Sequence, residues 1–154
     1  DAKGALVDAK GELRSWWTPA DKTAWTLLGS RVAAQYGAYE FPGVKGAKVN
    51  GTLTQEENLA DIAGLELAWA AYTAQEPKAK PAQQQGFFRA WAALWPQQLS
   101  PNEAARRLTA DIRAPGRWRT NGPLSNLPAF GATFSCKAGQ PMQRTDAEQI
   151  KVWR

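Results

Sequence analysis

Apolar residues recur at helical spacing through most of this chain. Trp25, Leu28 and Val32 fall three and four residues apart, which predicts a helix from about Pro19 to Tyr36. Thr18-Pro19-Ala20-Asp21 supplies its start, with a hydroxyl cap, a proline at the first helical position and an acid at the third. Thr54-Gln55-Glu56-Glu57 reads as a capping box opening a second helix to about Ala74. There Leu59, Ile62, Leu65, Leu67 and Trp69 spread over much of the circumference, so deep burial is expected. Phe87, Phe88, Trp91, Leu94 and Trp95 mark a third helix from about Ala82 to Trp95, their spacing that of core packing. Ser100-Pro101-Asn102-Glu103 is a further capping box, opening a helix to about Ala110.

Between these stretches the pattern breaks. Gly37, Pro42, Gly43, Gly46 and Gly51 predict a loop, and Pro77 and Pro81 a surface linker. Ile112 to Pro123, rich in Gly, Pro and Arg, reads as an ordered loop, followed by a short helix near Leu127 to Phe134. The near-repeat of Asp1 to Val7 in Asp8 to Arg14 fits a hairpin or paired turns and is too short for a solenoid. The fold class is mainly α, with a short N-terminal turn or hairpin region.

Composition narrows the chemistry. The chain of 154 residues is long enough for one hydrophobic core, and no apolar run reaches the roughly 20 residues of a membrane helix. A net charge of +5 without a block of like charges makes nucleic acid a poor partner. A single cysteine, Cys136, excludes an intrachain disulfide. The chain has no histidine, so it cannot by itself form a Ser-His-Asp triad, a Cys-His pair or a His-ligated zinc site. Its start at Asp1 reads as a cut inside a longer protein, leaving destination open.

Glu57 and Asp61 stand four apart, on one face of the second helix, where two carboxylates repel unless a cation or donor lies between them. Taken alone, the spacing favours a plainer reading, with Glu57 as the last residue of a capping box and Asp61 as a solvated helix acid. The surrounding Asn50-Gly51-Thr52-Leu53-Thr54-Gln55-Glu56-Glu57-Asn58-Leu59-Ala60-Asp61 resembles the E-N-x-A-D stretch of the neprilysin family of zinc metallopeptidases. Further blocks resemble the same family in the same order. They include Trp16-Trp17-Thr18, Phe87-Phe88-Arg89-Ala90-Trp91, Pro115-Gly116-Arg117-Trp118-Arg119, Asn121-Gly122-Pro123-Leu124-Ser125-Asn126 and the closing Val152-Trp153.

The resemblance covers essentially the whole chain. It implies the C-terminal helical portion of a thermolysin-like catalytic domain, a single partial domain over residues 1–154. It also implies one Zn2+ in the full-length protein, held by two histidines of an H-E-x-x-H helix expected just upstream of Asp1 and by Glu57 as third ligand. Asp61 then orients a ligating histidine, and Arg119 bonds the carbonyls of a bound peptide. Arg113 stands where the family usually has a histidine that donates to the oxyanion. Glu56 replaces a common glycine, and Ile150 a cysteine of animal members, which suggests a bacterial-type protein.

The implied function is a metalloendopeptidase hydrolysing internal peptide bonds, with the 154 residues inert alone. The alternative is a peptide-binding member that has lost catalysis. Expected partners are peptide substrates, the missing upstream half of the domain, and further copies of the fragment through exposed apolar surface. Family habit implies an extracytoplasmic location, periplasmic, secreted or membrane-anchored.

Overall fold

In a computed structural model, residues 3–153 are described. Six α-helices follow an N-terminal 3-10 turn at Gly4–Leu6: α1 Pro19–Gly37, α2 Gln55–Gln75, α3 Pro81–Ala92, α4 Pro101–Ala110, α5 Gly116–Asn126 and α6 Pro128–Thr133. No strand forms among the described residues; pairing is confined to isolated antiparallel bridges such as Val7 with Leu13 and Glu40 with Lys48. The first of these makes the expected hairpin region, its turn held by Asp8, whose Oδ1 accepts the Lys10 and Glu12 amides. The start of the near-repeat, Asp1 and Ala2, lies outside the described residues.

The helix starts show which local signals operate. Thr18 and Asp21 close a reciprocal capping box at α1. Thr54 does not close the one expected at α2: its hydroxyl donates to the Asn50 carbonyl and accepts from Asn58 Nδ2, so Glu57 turns elsewhere. At α4 the box is half made, because Ser100 accepts from the Glu103 amide while the Glu103 carboxylate binds Arg106 and Arg107. The two arginines hold that carboxyl down to about 2.

Helix α2 lies between α1 and α5. Leu59 and Ile62 join Val32, Tyr36, Phe41, Val49 and Ile150 in one apolar core, while Leu65 joins Phe88, Leu124 and Leu127 in a second. Burial therefore follows one stripe of α2, and Leu67 stays 52% exposed, contrary to the deep burial expected over much of the circumference. Helix α3 stops at Ala92, short of the expected Trp95, and residues 93–95 continue as turns.

The largest departure is α5, in a stretch expected to be a loop as far as Pro123. The amides of Trp118 and Arg119 bond the Pro115 carbonyl to start it, and Pro123 sits inside it. Its buried residues are Gly116 and the consecutive Gly122, Pro123, Leu124, Ser125 and Asn126, in which Leu124 is the one large apolar side chain, so no apolar period marks the helix. Gly122 is required because a Cβ there would come within 2.2 Å of the Tyr36 hydroxyl. Polar satisfaction replaces hydrophobicity: Asn126 Nδ2 donates to Gln35 and to the Gly122 carbonyl, and its Oδ1 accepts the Ile150 amide at 2.9 Å. That last bond ties the C-terminal segment to the helix bundle.

Candidate active-site face

Glu57 and Asp61 project from adjacent turns of α2 toward the segment 111–119. Arg119, in the first turns of α5, meets Asp61 in a two-point ion pair: Nε to Oδ2 at 2.8 Å and Nη2 to Oδ1 at 2.8 Å. The pair is largely removed from water, with side-chain exposures of 16% for Arg119 and 8% for Asp61. Its fork-to-fork geometry is the strong form of the arginine–carboxylate contact. The Asp61 hydrogen bonds, helped by the Asp61 and Glu57 charges and opposed by burial, raise the Arg119 pKa above its already high ordinary value.

Arg113 meets the other carboxylate more loosely, with Nε 3.3 Å from Glu57 Oε2. Here 52% of the Arg113 side chain and 32% of the Glu57 side chain remain exposed. The Arg113 backbone is pinned by its amide, which donates to Asp111 Oδ1 at 2.9 Å. The face thus carries alternating charge, each acid of α2 opposed by one base from the segment that leads into α5.

The backbone of that segment is positioned by close contact. The Gly116 amide donates to Gln97 Oε1, and a Cβ on Gly116 would come within 2.4 Å of the Trp95 carbonyl. Trp118 stacks on Tyr39 at 4.0 Å and donates from Nε1 to the Glu40 carbonyl, fastening α5 to the loop after α1. This docking brings Arg119 over the Trp95 ring, with 3.7 Å from guanidinium carbon to ring centroid. Beside it opens a cavity of about 130 Å³, lined among others by Trp95, Arg107, Asp111, Arg113 and Arg119. The helical spacing of Trp95 with Phe87, Phe88 and Trp91 predicts core packing. Its role under Arg119 had no signal in spacing, since positions 95 and 119 meet only through the docking of α5 on residues 95–97.

Among the described residues no group of three or more His, Cys, Asp or Glu side chains could hold a metal ion. Donor chemistry nevertheless separates the two acids. Asp61 is engaged by Arg119 on both oxygens, whereas Glu57 has one long ion pair through Oε2 and is suited to act as a single metal ligand.

Comparison with known proteins puts this geometry in context. Residues 1–150 match the model for Peptidase family M13. Neprilysin-2 of Caenorhabditis elegans is 31% identical over 162 residues, covering 99% of this chain and 22% of the relative. A neutral endopeptidase of Lactococcus lactis subsp. lactis (strain IL1403) is 31% identical over 153 residues, covering 99% and 23%. The chain therefore spans less than a quarter of the length of these curated relatives. Among solved structures, PepO of Lactobacillus rhamnosis HN001 superimposes with a TM-score of 0.84 at 36% identity, covering 99% of this chain and 23% of that one. The zinc metalloprotease Zmp1 of Mycobacterium tuberculosis, solved with an inhibitor, gives 0.89 at 29% identity, covering 100% and 25%.

Proposed function

The chain belongs to Peptidase family M13, and from that premise we propose that the protein carrying it is a zinc metalloendopeptidase that hydrolyses internal bonds of peptides. The observation that carries the reading is the placement of Glu57 and Asp61 on one face of α2, turned toward the segment of Arg113 and Arg119. Glu57 supplies one carboxylate ligand. Histidine ligands come from another part of the protein, because this stretch contains none. Zinc in such a site lowers the pKa of water and polarises a carbonyl.

Asp61 serves as an orienting group. Arg119 donates one bond to each of its oxygens, and each oxygen keeps a further lone pair for an imidazole N–H. Arg119, held from one side by Asp61 and from the other by Trp95, keeps Nη1 without a protein acceptor among the described residues. A fork fixed in this way can donate to a peptide carbonyl with little further loss of side-chain freedom. The 154 residues alone, offering Glu57 without histidine, do not hold zinc and do not cleave peptides. The protein works outside the cytoplasm, on the habit of the family; among the described residues no helix is long and apolar enough to cross a membrane.

The test is zinc content and peptide hydrolysis of the full-length protein with and without Glu57→Gln. We expect the variant to lose metal and activity together. Wild-type zinc occupancy in the variant would remove Glu57 from the ligand set.

Arg113 favours a second reading, a member that binds peptides without cleaving them, since it replaces the histidine expected to serve the oxyanion. Hydrolysis by the wild-type full-length protein decides against that reading. An inactive protein that gains activity on Arg113→His would support it.

A further inference from the structure

We propose that Arg113 is a built-in counter-cation to Glu57 that lowers the affinity of the site for its metal. The inference rests on the reading of Glu57 as a ligand. It starts from the 3.3 Å contact of Arg113 Nε with Glu57 Oε2. A guanidinium there neutralises the carboxylate whose charge a dication would use, and it brings a positive charge within a few ångströms of that dication. Either the arginine leaves Glu57 when metal arrives, or it stays and repels the metal across the carboxylate. Both routes weaken binding.

The local charge balance strengthens the effect. Asp61 is already neutralised by Arg119, so Glu57 is the one acid of the pair whose charge could favour a cation. Arg113 takes that charge up. Nor is it a fixed strut: its backbone is pinned to Asp111, while 52% of its side chain is exposed. A side chain of that length on a fixed backbone can swing between carboxylates. Asp111 Oδ1 holds the Arg113 amide and its Oδ2 pairs with Arg107 at 3.2 Å, so a second acid borders the same cavity. Asp111 is already paired with Arg107, so an Arg113 released from Glu57 gains no free acid there, and the lost ion pair counts against metal binding.

The experiment measures zinc dissociation constants of the full-length protein by chelator competition, for wild type, Arg113→Gln, Arg113→Lys, Glu57→Gln and the Arg113→Gln/Glu57→Gln double variant. Arg113→Gln should bind zinc about tenfold more tightly, the size expected for one charge facing a dication across a partly hydrated site. Arg113→Lys keeps the charge and should stay close to wild type. The gain should vanish when Glu57 is Gln. Unchanged or weaker binding by Arg113→Gln overturns the inference, as does an equal gain in Arg113→Lys, which would make shape the cause. If Glu57→Gln binds zinc as wild type does, the ligand reading itself falls. If Glu57→Gln loses zinc while Arg113→Gln gains nothing, only the counter-cation inference falls.

Discussion

Arg119 grips Asp61 through two 2.8 Å bonds from adjacent nitrogens, and the same guanidinium lies 3.7 Å from the centre of the Trp95 ring. An acid and an aromatic ring thus fix the fork from two sides in a largely dry setting. Removing one member of such a pair strands the other charge. We expect Asp61→Ala to destabilise the fold by about 3 kcal/mol, since a partly buried guanidinium would be left unpaired. Trp95→Leu, which keeps the ion pair, should cost about 1–2 kcal/mol, somewhat more than the stacking alone because the indole also packs on Trp91. Urea denaturation of the two variants checks the order; equal costs would mean that the ring and the acid hold Arg119 equally.

Legibility in the sequence followed the kind of force at work. Helices α1 to α4 are legible through apolar periodicity, as at Trp25, Leu28 and Val32, or through a hydroxyl cap, as at Thr18 and Ser100. Helix α5 was hidden because it packs by close approach and hydrogen bonding. Gly122 against Tyr36 and Asn126 against Gln35 have no hydrophobic period, and a proline in a helix interior, as Pro123 is, argues against a helix. The candidate site divides in the same way. Glu57 and Asp61 share a helical face by spacing alone, and Arg119 was singled out through its surrounding block. The pairing of each acid with a particular arginine, and the place of Trp95, depend on how α5 docks, which no local spacing encodes.

The C-terminal segment offers a separate test. The Glu66 carboxylate accepts the Val152 amide at 3.2 Å and the Trp153 amide at 3.2 Å, and Trp153 Nε1 donates to the Ala63 carbonyl. One acid on α2 thereby captures two successive backbone donors, much as a helix cap would. Trp153 keeps 56% of its surface exposed, so burial contributes less than these bonds. Glu66→Ala should lower stability by about 1–2 kcal/mol, with Glu66→Gln intermediate because a neutral acceptor remains. Amide hydrogen exchange at Val152 and Trp153 reads the effect directly. Unchanged protection in Glu66→Ala would show that Ile150, buried in the first core, holds the segment without help.

Gly51 packs against α1 so closely that a Cβ would come within 2.0 Å of the Ala33 carbonyl oxygen. The obstacle is backbone in the C-terminal turns of α1, which cannot rotate away as a side chain can. Gly51→Ala should therefore push apart the α1 contact and the loop leading to Glu57, at a cost of about 1–3 kcal/mol. Gly64 and Gly86 meet nothing within 4 Å and make controls, since alanine there should be neutral or stabilising in a helix. Thermal melts of the three variants decide it. A Gly51→Ala protein as stable as Gly64→Ala would mean that the α1–loop contact is slacker than it looks.

Tyr36 is fully buried, and its hydroxyl has no hydrogen-bond partner among the described residues. Burial pushes its pKa well above 10.0, with Tyr39 and Asp61 adding to the rise and Arg119 opposing it. A raised pKa means that the folded chain keeps the phenol proton where the unfolded chain releases it. The stability associated with the neutral phenol is therefore complete below about pH 10 and declines as the pH rises beyond it, by up to about 1.4 kcal/mol per pH unit for the one proton. Tyr36→Phe removes both the titration and an unpartnered polar atom while keeping the ring that packs at 5.4 Å from Tyr39. Its stability at pH 7 should match or exceed that of wild type, because no hydrogen bond is lost and a desolvated hydroxyl is gone. Between pH 10 and 11.5 its denaturation midpoint should fall less steeply than that of wild type. A variant that is weaker at neutral pH, with an alkaline limb parallel to wild type, would mean that the hydroxyl has a partner, such as an ordered water, and ionises as freely in the fold as outside it.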